Sequence, residues 1–208
     1  MTGTMQSAED TLAITQLIVN ERYNRDHRKW QQFRDAYFED SIVRISWFNG
    51  SGWDFVKATQ ERFAGADIGM HFVSAVPVRL YGDRAVVTVP LSIQTCPTWQ
   101  GVQVFINSVV VGFYGVEKRQ GRWGICSFEC SYIRDTIIPL IPGDEIPIDR
   151  QLLETLRPSY RYISYSLITG GHEVDHNLPG IDRPELVKEI EDRLEAWAHD
   201  NSTTSLRT

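Results

Sequence analysis

Along the first forty positions the apolar residues recur with helical spacing. Ser7 with Asp10 has the form of a capping box, and Ile14, Leu17 and Ile18 fall near one stripe of a helix running to Tyr23. Asn24-Arg25-Asp26-His27 interrupts that stripe. A second short helix is predicted on Trp30, Phe33 and Tyr37, spaced i, i+3 and i+7. The period then changes. Ile42–Phe48 alternates as a strand does, with Val43, Ile45 and Trp47 on one side and Arg44 and Ser46 on the other. Asn49-Gly50-Ser51-Gly52 marks a loop, and a third helix is expected over Trp53–Phe63, ended at Gly65. From Met70 long β segments dominate: Met70–Tyr81, a Gly82-Asp83 turn, then Arg84–Thr95. Gly101–Lys118 and Arg122–Asp135 flank a second hairpin signal, Gln120-Gly121. The run Val104–Val111 is apolar enough to predict a strand buried on both faces. Helices followed by an antiparallel meander make the fold class α+β rather than alternating βαβ.

The pattern breaks again after Thr136. Ile138-Pro139-Leu140-Ile141-Pro142-Gly143 and Glu145-Ile146-Pro147 exclude regular helix and central strand. Asp149–Leu156 reads as a short helix stopped before Pro158. Asp182, Pro184 and Glu185 open a last helix whose Leu186, Val187, Ile190, Leu194 and Trp197 form one stripe. The chain therefore divides into a main domain, residues 1–135, and a C-terminal extension, residues 136–208, packed on the same domain or on a partner subunit.

Composition narrows the function classes. At 208 residues the chain supports one core with an extension rather than two independent cores. Its net charge of −6 leaves no basic footprint for nucleic acid. No apolar run approaches the roughly 18 residues that would span a bilayer. The N-terminus has neither the basic nor the apolar part of a secretory signal. Three cysteines, none in a C-x-x-C, complete the expectation of a cytoplasmic protein in a reducing compartment. All three read as buried thiols, with Cys126 and Cys130 facing the same way on one strand but too far apart to bridge.

Two arrangements carry possible chemistry. His172-Glu173-Val174-Asp175-His176 has the form H-E-x-x-H, which binds zinc only when a helix aims both imidazoles at one ion. Gly170-Gly171 before it and Asn177-Leu178-Pro179-Gly180 after it leave no room for such a helix, so no metal and no other cofactor is assigned. The second arrangement is Asp26 with His71. Asp26 ends the first helix, where the apolar stripe can carry it inward, and His71 sits between Met70 and Phe72 at the start of a strand. A buried aspartate that accepts from one ring nitrogen fixes the tautomer and leaves the other nitrogen as a base. Read from the residues alone, a polar helix terminator and a satisfied core histidine explain the same pair.

A resemblance adds to this reading. Ala13-Ile14, Glu21-Arg22-Tyr23-Asn24-Arg25-Asp26-His27-Arg28-Lys29-Trp30, Phe33, Phe38-Glu39-Asp40 and Val43-Arg44-Ile45 resemble the opening of the SnoaL-like branch of the NTF2-like superfamily. Scytalone dehydratase, hexachlorocyclohexane dehydrochlorinase and bile-acid dehydratase have similar openings. There the aspartate partners a histidine in a context similar to Met70-His71-Phe72-Val73. Covering about residues 8–135, the resemblance implies a cone-shaped α+β barrel. Its helices pack into a curved antiparallel sheet around an apolar cavity, with Asp26 and His71 as a catalytic dyad. Tyr23, Trp47, Phe48, Trp53, Asn107 and Tyr132 are the candidate substrate-binding residues. The aromatic cluster around Asn49–Gly52 suits a flat or alicyclic ligand.

The chain also departs from that pattern. Trp47 stands where scytalone dehydratase uses a tyrosine to polarise its substrate, and an indole offers one donor and no acceptor. Val110 and Gly112 replace polar residues of the central strands, leaving Asn107 and Tyr132 as possible donors. Two function classes follow. One is a cofactor-independent lyase or isomerase, dehydratase- or cyclase-like, acting on a small hydrophobic, cyclic molecule. The other is a non-catalytic ligand-binding or assembly module. Either is expected to form a homo-oligomer, dimer or trimer, without nucleic-acid or membrane partners.

Overall fold

The computed structural model describes residues 2–62, 64, 69–200 and 206. The first helix, α1 (Thr2–Asp26), begins upstream of the expected cap and runs unbroken through Asn24 to Asp26. Ser7 and Asp10 form no capping box. Asp10 instead accepts from Lys118 Nζ at 2.7 Å and from Trp123 Nε1 at 2.9 Å, which ties the helix to the sheet. Arg28, in the left-handed region at φ 56°, turns the chain into α2 (Trp30–Asp35). Tyr37 does not extend that helix; it opens β1 (Tyr37–Ile45), which pairs antiparallel with β2 (Phe48–Ser51). The single strand expected over Ile42–Phe48 is thus a hairpin turning at Ser46-Trp47. Helix α3 (Gly52–Arg62) follows; Phe63 and Gly65, expected at its end, lie outside the described residues.

The expected strand Met70–Tyr81 is divided into β3 (Met70–Val73) and β4 (Val78–Tyr81). Both pair with β5 (Arg84–Thr95), whose bounds match the sequence expectation. The gap has a local cause, since Pro77 and the facing Pro90 each lack the N–H a continuous ladder needs. A short β6 (Thr98–Trp99) leads into β7 (Val102–Arg119), which forms a long hairpin with β8 (Arg122–Pro139). The sheet runs β2-β1-β8-β7-β5-β3 and does not close on itself. Only the β1–β8 pairing is parallel among the described strands.

In β7 the even positions Val104, Ile106, Ser108 and Val110 are buried, while Phe105, Asn107, Val109 and Val111 are half-buried. The strand expected to be buried on both faces is therefore fully covered on one face only. Strand β8 continues past its expected end at Asp135 through Ile138-Pro139, where only a central strand was excluded. There it has left β1 and pairs only with β7, so the missing proline N–H costs no ladder bond.

Register shifts between Val109/Val110 and Gly115/Val116 place an extra residue on β8 each time and curl the sheet. The extra residue at Cys126 also inverts the side-chain order. Cys126 packs on the outer face and Cys130 on the inner, contrary to the expectation that they share a side. Cys96 is half-buried rather than buried.

The inner face carries the main core. Ile14 and Ile18 of α1, Phe33 of α2 and Phe55 of α3 meet Val87, Val89, Leu91, Val110, Tyr114, Ile125 and Phe128 of the sheet. The C-terminal region packs on both sides of the same sheet. Helix α4 (Arg150–Thr155) is capped by the Asp149 carboxylate, which accepts from Gln151 N and Leu152 N. A 3-10 turn, Pro158–Tyr160, leads to α5 (Arg161–Thr169), which the sequence pattern did not reveal; Tyr165 meets Trp99 at 4.9 Å between ring centroids. Helix α6 (Pro184–His199) lays Ile190, Leu194 and Trp197 on Val86, Phe113 and Cys126 of the outer face. Its apolar stripe thus covers this chain's own sheet.

Candidate active site

The stripe of α1 that buries Ile14 and Ile18 continues at spacings of three and four into charged residues. Glu21, Arg22, Arg25 and Asp26 are all buried. Arg22 pairs with Glu21, and Tyr37 Oη donates to Glu21 Oε1 at 2.7 Å. The guanidinium of Arg22 also lies 4.7 Å from the Phe128 ring centroid. Burial works against the Arg22 charge, but Glu21 outweighs it and holds the pKa well above the usual arginine range.

Asp26 and His71 meet where α1 ends and β3 begins. Asp26 Oδ2 accepts the backbone N–H of His71 at 2.6 Å, and Oδ1 lies 2.9 Å from His71 Nδ1. Arg25 Nη1 donates to Asp26 Oδ1 at 2.8 Å and to the Gly69 carbonyl at 2.5 Å. Gly69 is needed there, because a Cβ would stand 2.8 Å from Thr95 Cγ2 on the neighbouring strand. The imidazole is 6% exposed and the carboxylate 3%, so the contact is shielded from water.

Burial tends to raise the Asp26 pKa. The hydrogen bond from His71 and the positive charges of His71 and Arg25 outweigh it and bring it down to about 2. His71 is pushed down to about 4, first by burial and then by the Arg25 charge, with Asp26 offsetting part of the shift. At neutral pH the pair is therefore a carboxylate beside a neutral imidazole. A carboxylate accepts only, so Nδ1 carries the proton and Nε2 carries the lone pair.

His71 lines a cavity of about 480 Å³, with Asp26 behind it. Trp47, Phe55, Leu91, Ile93 and Phe128 give it apolar walls, and Ile163, Ser166 and Leu167 of α5 close one side. The C-terminal extension therefore supplies part of the wall. Arg62, in the last turn of α3, also lines the cavity, its guanidinium 4.8 Å from the Trp47 ring centroid. Its Nη1 is buried and has no hydrogen-bond partner among the described residues, and burial followed by the Arg25 charge lowers its pKa to about 10.

The expected site residues are placed unevenly. His71, Trp47 and Tyr132 line the cavity. The Tyr132 hydroxyl accepts from Ser46 N at 2.9 Å. Tyr23 does not reach the cavity; it is exposed and stacks on His27, because it lies off the stripe shared by Arg22 and Asp26. Phe48 packs against Phe55 behind the wall, and Trp53 donates to the Tyr37 carbonyl outside it. Asn107 faces the other side of β7 and accepts from Gln94 Nε2 at 3.3 Å. Residues 172–176 run as irregular backbone, with the exposed His172 at the cavity rim and Asp175 bound to Arg44. Sequence reasoning missed Arg22, Arg25 and Arg62. The helical spacing from Ile18 carried a signal for the first two.

This geometry can be set beside known proteins. The SnoaL-like domain family matches residues 6–129. Over 183 residues the chain is 25% identical to pea pathogenicity protein 2 of Fusarium vanettenii, covering 82% of this chain and 77% of that protein. Among solved structures, the type 2 hexachlorocyclohexane dehydrochlorinase LinA superimposes with a TM-score of 0.57 at 13% identity, over 69% of this chain and 97% of that one. A scytalone dehydratase-like protein from Novosphingobium aromaticivorans gives 0.54 at 18% identity, over 72% and 99%. These two share the fold of helices held in a curved, unclosed sheet. With the match running from α1 into β8, the chain belongs to the SnoaL-like domain family.

Proposed function

We propose that the protein is a cofactor-independent lyase or isomerase, dehydratase- or cyclase-like, in which His71 abstracts a proton from a small cyclic substrate held in the cavity. The observation that carries this is the contact of a buried, ionised Asp26 with Nδ1 of a neutral His71 at the wall of an apolar cavity. His71 Nε2 takes a C–H proton next to a carbonyl, and the C–H electron pair moves onto that carbonyl as an enolate. For a dehydration, the enolate expels a β-hydroxyl, which leaves as water with the proton returned by the imidazolium. Asp26 steadies the imidazolium while it exists. Isomerisation and cyclisation share the first step. The similarity in fold to a dehydrochlorinase and a scytalone dehydratase-like protein supports this class of reaction.

The low basicity of His71 limits the chemistry. A base held near 4 gives little driving force, so the C–H bond must already be acidified by a carbonyl. The Arg25 charge that weakens the base also favours the enolate that forms. Homo-oligomer formation belongs to the same proposal. With α6 on the outer face, one edge of the sheet, β3, offers exposed Met70 and Phe72.

The test is incubation in D2O with a panel of cyclic β-hydroxy ketones, followed by NMR. Loss of the α-proton signal and appearance of a vinyl signal are expected with the wild type. His71→Ala is expected to lower both rates on the order of 10³-fold while retaining its circular dichroism. Equal exchange by His71→Ala removes the mechanism. Ligand binding without exchange or turnover favours the non-catalytic binding module.

A further inference from the structure

Among the described residues, the charges around the cavity do not balance. Arg22 is matched by Glu21, and Arg25 by Asp26 and the Gly69 carbonyl. Arg62 has no such match among the described residues. Among the described residues lining the cavity there are arginines and histidines but no aspartate or glutamate. The Nη1 atom of Arg62 is buried, with no acceptor among the described residues. Two features explain why the side chain lies inward: the C-terminal end of α3 favours a cation, and the Trp47 face accepts one. Neither satisfies an N–H donor. A buried donor left unpaired in a cavity that is otherwise apolar is a place where a ligand acceptor gains most.

We propose that Arg62 binds an anionic oxygen of the substrate, a carboxylate or an ionised enol, and so sets the class of molecule the cavity accepts. The assignment rests on the cavity being the substrate site proposed above. A guanidinium is planar and always charged at neutral pH, and its N–H fork matches two coplanar oxygens or one delocalised oxyanion. Trp47 fixes the plane of that fork on one side. The substrate's ring then lies along Trp47, Phe55 and Phe128, with its anion on Arg62 and its reacting carbon toward His71.

Isothermal titration with two ligand pairs tests this. The first pair is 2-naphthoate and its neutral isostere 2-naphthamide. The second is 1,3-cyclohexanedione, an ionised enol at neutral pH, and its neutral methyl enol ether. The wild type is expected to bind at least one anion about tenfold or more tightly than its neutral partner, and the pair that shows the preference identifies the source of the charge. Arg62→Gln is expected to erase the preference while binding the neutral partner as before, and Arg62→Lys to keep part of it. His71→Ala is expected to keep the preference in full, so loss of the proton-abstraction reading leaves this assignment separately readable. Equal binding of both members of both pairs by the wild type overturns the assignment without any variant. A preference that survives Arg62→Gln overturns it too, because another cation then holds the anion.

Discussion

Asp26 and Asp135 are both buried, and both accept hydrogen bonds from backbone N–H groups, yet the fold treats them in opposite ways. Asp135, on β8, accepts from Tyr162 N at 2.7 Å and Ile163 N at 2.8 Å and so caps the start of α5. Burial pushes its pKa up to about 6, and those N–H bonds offset only part of the shift. Its Oδ1 has no hydrogen-bond partner among the described residues. Asp26 is equally enclosed, but Arg25 and the His71 ring bond it, and it falls to about 2. Burial by itself drives a carboxyl toward its neutral form. The Arg25 cation and the His71 hydrogen bond keep Asp26 ionised, the form needed to hold the His71 Nδ1–H and to balance an imidazolium.

Breaking the pairing at Asp26 has the largest expected effect. Asp26→Asn removes the carboxylate charge that Arg25 and the His71 ring bond, and removing one member of a buried pair costs about 3–5 kcal/mol. Urea titration at pH 7 measures this; a loss under about 1 kcal/mol contradicts the assigned role of the pair.

Next comes the pH dependence of stability, where the two regions have opposite signs. His71 has a folded pKa of about 4 against an ordinary 6.5. Above 6.5 both folded and unfolded forms are neutral and its contribution is complete. As pH falls from 6.5 to 4 the unfolded chain takes up the proton first, and roughly 3 kcal/mol is lost. Asp135 runs the other way. Its folded pKa of about 6 lies above the ordinary 3.8, so the folded state binds the proton first as pH falls and stability rises by roughly 3 kcal/mol at most. Asp26 contributes its full amount above 3.8 and loses it only between 3.8 and about 2. Against the wild type, His71→Ala is expected to gain relative stability from pH 6.5 to 4, and Asp135→Asn to lose it. Superimposable curves for all three proteins contradict the comparison.

The smallest effect sharpens it. Asp135→Asn keeps an oxygen for the α5 N–H groups and removes a charge that burial disfavours. At pH 7 it is expected to lie within about 1 kcal/mol of the wild type. A loss as large as that of Asp26→Asn means that Asp135 also has a cationic partner.

What the sequence disclosed follows the range of the forces involved. Strand β5 and the β7–β8 hairpin were legible because alternation and the Gln120-Gly121 turn are local signals, and both turn residues have positive φ. The division of Met70–Tyr81 turned on Pro77 within it and also on Pro90, which faces it from the neighbouring strand and lies outside the segment. Helix α5 was missed for a similar reason, since its first N–H groups are held by Asp135, 27 and 28 residues away. The meeting of Asp26 and His71, 45 residues apart, was carried by family resemblance and not by spacing. Arg22 and Arg25 followed the stripe from Ile18, but charged residues on a helix read as solvated. Tyr23 and Asn107 have suitable chemistry on the wrong face, and a face is settled by packing. For Arg62 the chain offered no signal at all.

The central claim is that His71 is a neutral base, protonated on Nδ1 by its contact with Asp26 and carrying a free pair on Nε2. Nitrogen-15 NMR of histidine-labelled protein reads this directly, with His71→Ala identifying its resonances among the five histidines. At pH 7 the account predicts a protonated Nδ1, an unprotonated Nε2, and no titration until the pH nears 4. A proton on Nε2, or a midpoint near 6.5, contradicts it.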